Sequence, residues 1–334
     1  MPSAPILGSY GDLSGNGLMF RNKLINGGFD IWQRGGSLGP FTDEQYVADR
    51  WRIIKNDTVN YSVAQLAFTL GQTDVPGNPR LYHRLTCNSI GAANDFAITC
   101  QRIENVVTYS GITMTLSFWA KADQAFTINP GVGTNRGAVG ILQNFGSGGS
   151  PSASVLTTIQ QSQAVTTAWT KYTYTFTVPS VSGKTLGTTA NSSYLEIYMF
   201  PLVAGNAGRS IDIANVQLES GPIASSFEQR PIGTELALCQ RYYEQNTNNT
   251  GVTANYLISY GIGGSNAIST FFPFVVEKRR KADLAFNFSY INAAFSRADA
   301  TNTGFILQIT SSSASMAQVQ VSNGAVAWTA NAEL

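Results

Sequence analysis

Apolar and polar residues alternate with a period of two along most of the chain. Over Gly111–Ala122, Ile112, Met114, Leu116, Phe118 and Ala120 share one face, while Thr113, Thr115, Ser117, Trp119 and Lys121 share the other. Over Lys171–Pro179, Tyr172, Tyr174, Phe176 and Val178 alternate with Thr173, Thr175 and Thr177. Such alternation predicts half-buried strands. Phe96–Cys100, Tyr194–Phe200 and Ile211–Leu218 carry the same pattern, and turn-rich pieces such as Gly71–Pro79, Gly131–Pro151 and Ser180–Ser193 separate them. Many strands with polar loops and no β-α alternation predict an antiparallel sandwich.

The pattern changes twice. Residues 1–20 are small, Gly-rich and barely patterned, and predict an extended arm that orders on docking. Thr234–Gln245 predicts a helix, with Thr234 as N-cap, Glu235 in the first turn, and Leu236, Cys239, Gln240 and Tyr243 on one stripe. It reads equally as a neck between subunits and as a helix capping a sandwich. Beyond it the period of two returns. Leu284, Phe286, Phe288 and Tyr290 share a face, as do Phe305, Leu307 and Ile309. Val319 and Val321, Asn323-Gly324, then Val326 and Trp328 predict a hairpin with a type I′ turn. The expected organisation is an arm over 1–20, a β-sandwich over 21–230, a helical linker over 231–246 and a smaller β domain over 247–334.

Composition sharpens this picture. Of 334 residues only 12% are charged, at a net charge of +1, against about 25% in an average soluble domain. Ser, Thr, Asn and Gln number 31, 31, 25 and 17 and fill the place of the missing charge. A near-zero net charge argues against nucleic acid. No run of 18 apolar residues is present to span a membrane, and the N-terminus lacks the basic and apolar regions of a secretory signal.

Candidate chemistry is sparse. The single histidine, His83, alternates with apolar residues on a predicted strand and reads as structural before catalytic. Cys87, Cys100 and Cys239 form no C-x-x-C pair and are expected as buried thiols, a Cys87–Cys100 bridge being the alternative. Asp43-Glu44 reads as a solvated loop. Gly131–Gly137 lacks the helix that a phosphate loop needs. Glu277-Lys-Arg-Arg-Lys281, the one charge run, suits either an anionic surface or a solvated turn. No metal and no cofactor is expected. Aromatic residues in patterned segments remain as candidates for contact with neutral sugars: Tyr256, Tyr260, Tyr290 and Trp328 in the C-terminal part, and Trp119 on the hydroxyl-rich side of its strand.

At Asn22–Gly35 (N-K-L-I-N-G-G-F-D-I-W-Q-R-G) and Tyr46–Trp51 (Y-V-A-D-R-W), the chain resembles a family of bacteriophage tail-fibre, tailspike and head-fibre proteins. The resemblance continues through Gln101–Glu104, Thr115–Ala122, Trp169–Pro179, Ile211–Glu219, Phe227–Pro231 and Glu235–Glu244 to the terminal Asn331–Leu334. It implies a carbohydrate-binding-module-like jelly roll followed by a short helix and a second, smaller β-sandwich. It implies a virion fibre subunit, assembled in the bacterial cytoplasm as a homotrimer. The arm would hold other virion proteins, and the subunit would bind bacterial surface polysaccharide; the resemblance says nothing about glycanase activity, and it is the sparse, solitary acidic residues that point to binding without catalysis. Such modules often carry a structural calcium, and Asn26 and Asp212 occupy comparable places, though flanking acidic ligands are not evident. A purely structural decoration protein and a glycan depolymerase are the other readings.

Overall fold

A computed structural model describes residues 20–38, 44–55, 60–89, 92, 95–129, 136–247, 255–260, 267–291, 293–311, 317–321 and 326–334. The arm expected over 1–20 lies outside the described residues save for Phe20, and so does most of Gly131–Gly137. The chain divides into two compact units, the first running to Ile232 and the second over Gly233–Glu333.

The first unit holds β1 (Ser37–Leu38), β2 (Gln45–Tyr46), β3 (Arg52–Lys55), β4 (Asn60–Ala67), β5 (Leu81–Ser89), β6 (Phe96–Glu104) and β7 (Thr113–Ala122). It continues with β8 (Phe126–Ile128), β9 (Val139–Asn144), β10 (Val155–Gln160), β11 (Gln163–Val165), β12 (Thr170–Thr177), β13 (Tyr194–Val203) and β14 (Ser210–Ser220). Two six-stranded antiparallel sheets result, in the orders β1-β4-β5-β14-β7-β12 and β10-β9-β13-β6-β3-β2, with a β11-β8 ribbon beside them. The chain crosses between the sheets after β1, β3, β5, β6, β12 and β13, and by way of the ribbon strands after β7 and β10, which makes the unit a jelly-roll sandwich.

The inner faces follow from the alternation. Met114, Leu116 and Phe118 of β7 meet Leu195, Ile197 and Met199 of β13 in one buried core. Phe200 packs edge-on against Phe118 and Tyr172, with ring centroids at 4.9 and 5.0 Å. On the other side of the first sheet, β12 and β7 pair Thr177 with Thr113 and Thr175 with Thr115. Their hydroxyls hydrogen-bond at 3.2 and 3.0 Å.

The two motifs at Asn22–Gly35 and Tyr46–Trp51 meet in a buried polar knot. The Asn26 amide donates to the carbonyls of Ile31 and Asp49, and its oxygen accepts from Ile31 N–H. Trp51 Nε1 donates to Asn26 O, and Asp49 accepts from Gln33 N–H and Gln33 Nε2. A Cβ on Gly27 would lie 2.1 Å from Val216 O, so only glycine lets this segment approach β14.

His83 faces inward, fully buried, stacked on Phe29 and Trp32 at 5.2 and 6.0 Å. Burial lowers its pKa to about 3, so it is a neutral core residue at neutral pH. All three cysteines are free and buried. Cys87 lies in the inner core and Cys100 on the far side of the other sheet, which excludes the alternative of a bridge.

The second unit contains α1 (Ile232–Gln240, its first residue closing the first unit) and β15 (Tyr243–Thr247), β16 (Asn255–Tyr260), β17 (Ala267–Pro273), β18 (Asp283–Phe286) and β19 (Ser289–Ile291). It ends with β20 (Ala293–Ala300), β21 (Gly304–Ser311), β22 (Ala317–Val321) and β23 (Val326–Asn331). Three three-stranded antiparallel sheets, β15-β23-β18, β16-β22-β19 and β17-β21-β20, form this smaller all-β unit. Phe305, Leu307 and Ile309 of β21 are fully buried at the centre of its core.

Three expectations are corrected here. The helix stops at Gln240, because Tyr243–Thr247 pairs with β23 as a strand. Leu284–Tyr290 is split between β18 and β19 in two different sheets. The predicted hairpin does not form, since β22 pairs with β16 and β19 while β23 pairs with β15 and β18. Each strand finds its partners far along the chain, which local alternation does not encode. Among the described residues no helix is long and apolar enough to cross a membrane.

Candidate functional site

On the outer face of the β1-β4-β5-β14-β7-β12 sheet lies a cavity of about 300 Å³, at the small end of the range of ligand pockets. Trp119 supplies its aromatic wall from β7. The register sets Trp119 between Lys171 on β12 and Ala214 on β14. Phe227 faces the cavity as a second aromatic, and Asn215, Ser226 and Gln229 bring amides and a hydroxyl. Lys171 of β12 and Pro76, Gly77 and Pro79 of the β4–β5 loop complete the lining among the described residues.

Local chemistry holds each wall in place. Asn215 sits in a β-bulge between Ala214 and Gln217, at φ 49°, a left-handed conformation that asparagine tolerates better than most residues. The β4–β5 loop is stapled by Gln72, whose amide donates to Val75 O and accepts from Val75 N–H, both at 2.9 Å. Phe68 N–H to Arg80 O closes the base of the loop at 2.9 Å.

The wall after β14 is strapped down by the buried Gln217 and Glu219. The Glu219 carboxylate accepts from Ser225 N–H, Ser225 Oγ and Gln217 Nε2 at 2.7–2.9 Å. Gln217 Oε1 accepts from Glu228 N–H at 2.7 Å. These bonds fix the segment that carries Ser226, Phe227 and Gln229.

An aromatic cluster adjoins on the same face. Trp169 packs on Phe68 and Tyr82 with centroids at 5.1 and 5.3 Å, and the Lys121 ammonium lies 5.2 Å from the Trp169 ring. Arg84 makes a bidentate pair with Asp212 at 2.6 and 2.8 Å, and Lys121 stands 3.8 Å from the same carboxylate. A smaller depression of about 140 Å³ lies beyond Pro79, lined by Phe68, Gln72 and Arg80 among others.

Of the sequence-predicted contact residues, Trp119 alone lines this cavity. Trp328 is 4% exposed and packs against Phe274 and Phe305 at 5.9 and 5.2 Å, so it offers a sugar no free face. Its apolar neighbours in the second core take up the ring. Tyr290 is half-buried beside Phe288 and Phe295, and burial raises its phenol pKa. Tyr256 and Tyr260 lie on β16, where the backbone alone falls among the described residues.

The places suggested for calcium are occupied by the fold. Asn26 serves the buried knot, and Asp212 serves Arg84 and Lys121. Among the described residues no group of three or more metal-binding side chains converges. The charge run at 277–281 is largely internal. Lys278 is buried 2.5 Å from Glu244, Arg279 is buried, and Arg280 pairs with Asp283 at 2.8 Å. It therefore does not form a basic surface patch.

No family model matches the chain, and no curated protein matches it by sequence. Solved structures share similarity at low identity. The enzymatically active domain of tailspike protein 4 of bacteriophage CBA120 is 17% identical at a TM-score of 0.34, over 60% of this chain and 22% of that one. A putative sugar-binding protein of Bacteroides thetaiotaomicron is 15% identical at 0.35, over 60% of this chain and all of that one. The family 11 carbohydrate-binding module of Clostridium thermocellum, in complex with a mixed-linked tetrasaccharide, is 11% identical at 0.31, over 57% and 98%.

Proposed function

We propose that the first unit is a non-catalytic carbohydrate-binding module and that Trp119 is its stacking platform. One observation carries the reading: an indole and a phenyl ring open into the same pre-formed pocket as two amides and a hydroxyl. An aromatic ring receives the C–H face of a sugar, and amides and hydroxyls satisfy the ring hydroxyls. Among the described residues no carboxylate lines the pocket, so they offer binding groups and no acid–base pair.

The wider role proposed is that of a bacteriophage fibre subunit that holds host surface glycan. The sequence motifs at Asn22–Gly35, Tyr46–Trp51 and Phe227–Pro231 support it. Residues 1–20 would dock on the particle. The half-exposed Phe271, Phe295 and Ile306 on the β17-β21-β20 sheet are apolar surface that a homotrimer would cover.

Titration of the purified chain against polysaccharides from the host surface tests the module. Trp119→Ala is expected to weaken binding at least tenfold, about 1.4 kcal/mol. Undiminished binding by that variant would refute the stacking role. A monomeric mass in solution would remove the trimer.

A further inference from the structure

We propose that this pocket selects an acidic saccharide, one bearing a carboxylate or phosphate, and that Lys171 is the specificity residue. The inference rests on the carbohydrate-binding reading above and adds the class of sugar.

The electrostatics of the pocket are one-sided. Among its lining residues Lys171 is the single charged group. Its Nζ makes one long hydrogen bond, 3.4 Å to Ser225 O, and an ammonium has three donors. It is exposed, and no carboxylate stands within ion-pair distance of it among the described residues.

The nearby acids are committed elsewhere. Glu219 is held by Ser225 and Gln217. Asp212 is held by Arg84 and Lys121. Glu228 accepts from Asn22 N–H at 2.9 Å and lies 3.4 Å from Arg230. An incoming anion therefore meets a cation with donors to spare; among the described residues no carboxylate lines the pocket, and Asp30, the acid behind the Phe227 wall, is paired with Arg80 at 3.7 Å.

The same bias continues past Pro79, which lines both depressions. The second depression carries Arg80 as its charged group, 74% exposed and ion-paired with Asp30 at 3.7 Å. Two cations thus flank one proline on a face rich in threonine.

The test is an array of bacterial polysaccharides of known structure, grouped as uronate-bearing, phosphate-bearing and neutral, probed with the full chain. Wild-type protein is expected to prefer one of the two charged groups, and which one identifies the anion. Lys171→Gln is expected to lower that signal about five- to tenfold, the size of one solvent-exposed charge contact. Lys171→Arg is expected to restore it, and raising salt to weaken it. An unchanged melting midpoint separates loss of contact from loss of fold. Binding confined to neutral polysaccharides, or equal binding by wild type and Lys171→Gln, overturns the inference. If Trp119→Ala still abolishes that binding, the pocket reading survives. Failure of the wild-type chain to bind any group overturns both.

Discussion

Glu196 lies fully buried on the outer side of the β10-β9-β13-β6-β3-β2 sheet, 3.2 Å from both Arg102 and Arg136. Those guanidinium groups in turn lie over the rings of Tyr194 and Tyr198, at 4.0 and 4.7 Å. On the outer side of the opposite sheet, Lys171 and Trp119 stand side by side and neither has a comparable partner. The two faces use the same vocabulary of aromatics and cations. The first face satisfies it internally; the second does so around Trp169 and Asp212 and leaves Lys171 and Trp119 open beside the cavity. Residue type alone does not mark a binding face; the presence or absence of an internal partner does.

The contrast yields a graded set of outcomes. Glu196→Gln leaves two guanidinium groups without their buried counter-ion. It is expected to cost about 3 kcal/mol, read as a lowered denaturant midpoint, with glycan binding per folded molecule unchanged. A loss below about 1 kcal/mol would mean that this face is no more committed than the other.

Acid should act through the core and not through the open face. His83 stays neutral in the folded state down to about pH 3, while an unfolded histidine protonates near 6.5. The unfolded chain therefore takes up the extra proton. The contribution of His83 is complete above pH 6.5 and declines as pH falls toward 3, by roughly 1.4 kcal/mol per unit. Replacing His83 with Phe is expected to flatten that slope in a pH series of melting curves. The smallest effect belongs to Trp119→Ala, which should change stability by about 1 kcal/mol or less while it removes binding.

Much of the fold is legible in the sequence because burial imposes the period of two. Thr113–Ala122 and Thr170–Thr177 emerge as strands with the expected faces inward. Pairing is not legible in the same way. Val319 and Trp328 look like two arms of one hairpin, yet the strand of Val319 is zipped to β16 and β19 and that of Trp328 to β15 and β18. The helix ends short of its sequence pattern for a related reason: Tyr243 fits a helical stripe and a strand equally, and β23 decides.

The site shows the same division. Alternation puts Trp119 on the outer side of its strand, among threonine and serine. Its partners come from a loop after β4, a bulge in β14 and a strap after β14. Their convergence depends on Gln72, Asn215 and Glu219, whose roles are three-dimensional. Phe227 does sit in a segment with a recognisable motif, Phe227–Pro231, and that is the signal from which the second wall was readable. Trp328 fails as a candidate because the second unit has an apolar core of its own, and composition does not tell an indole that fills a core from an indole that lies outside.

Finally, the segment at 22–27 lies directly against 216–230. Lys23 N–H bonds Leu218 O, Val216 N–H bonds Gly27 O, and Arg230 reaches the carbonyls of Asn22 and Leu24. Among the described residues the first unit therefore begins and ends at one spot on its surface. A module with adjoining ends can be inserted into a loop of another protein as a cassette, because its entry and exit need span only a short gap. The glycine at position 27, which permits that close approach, is thus as much a condition for transplanting the module as for folding it.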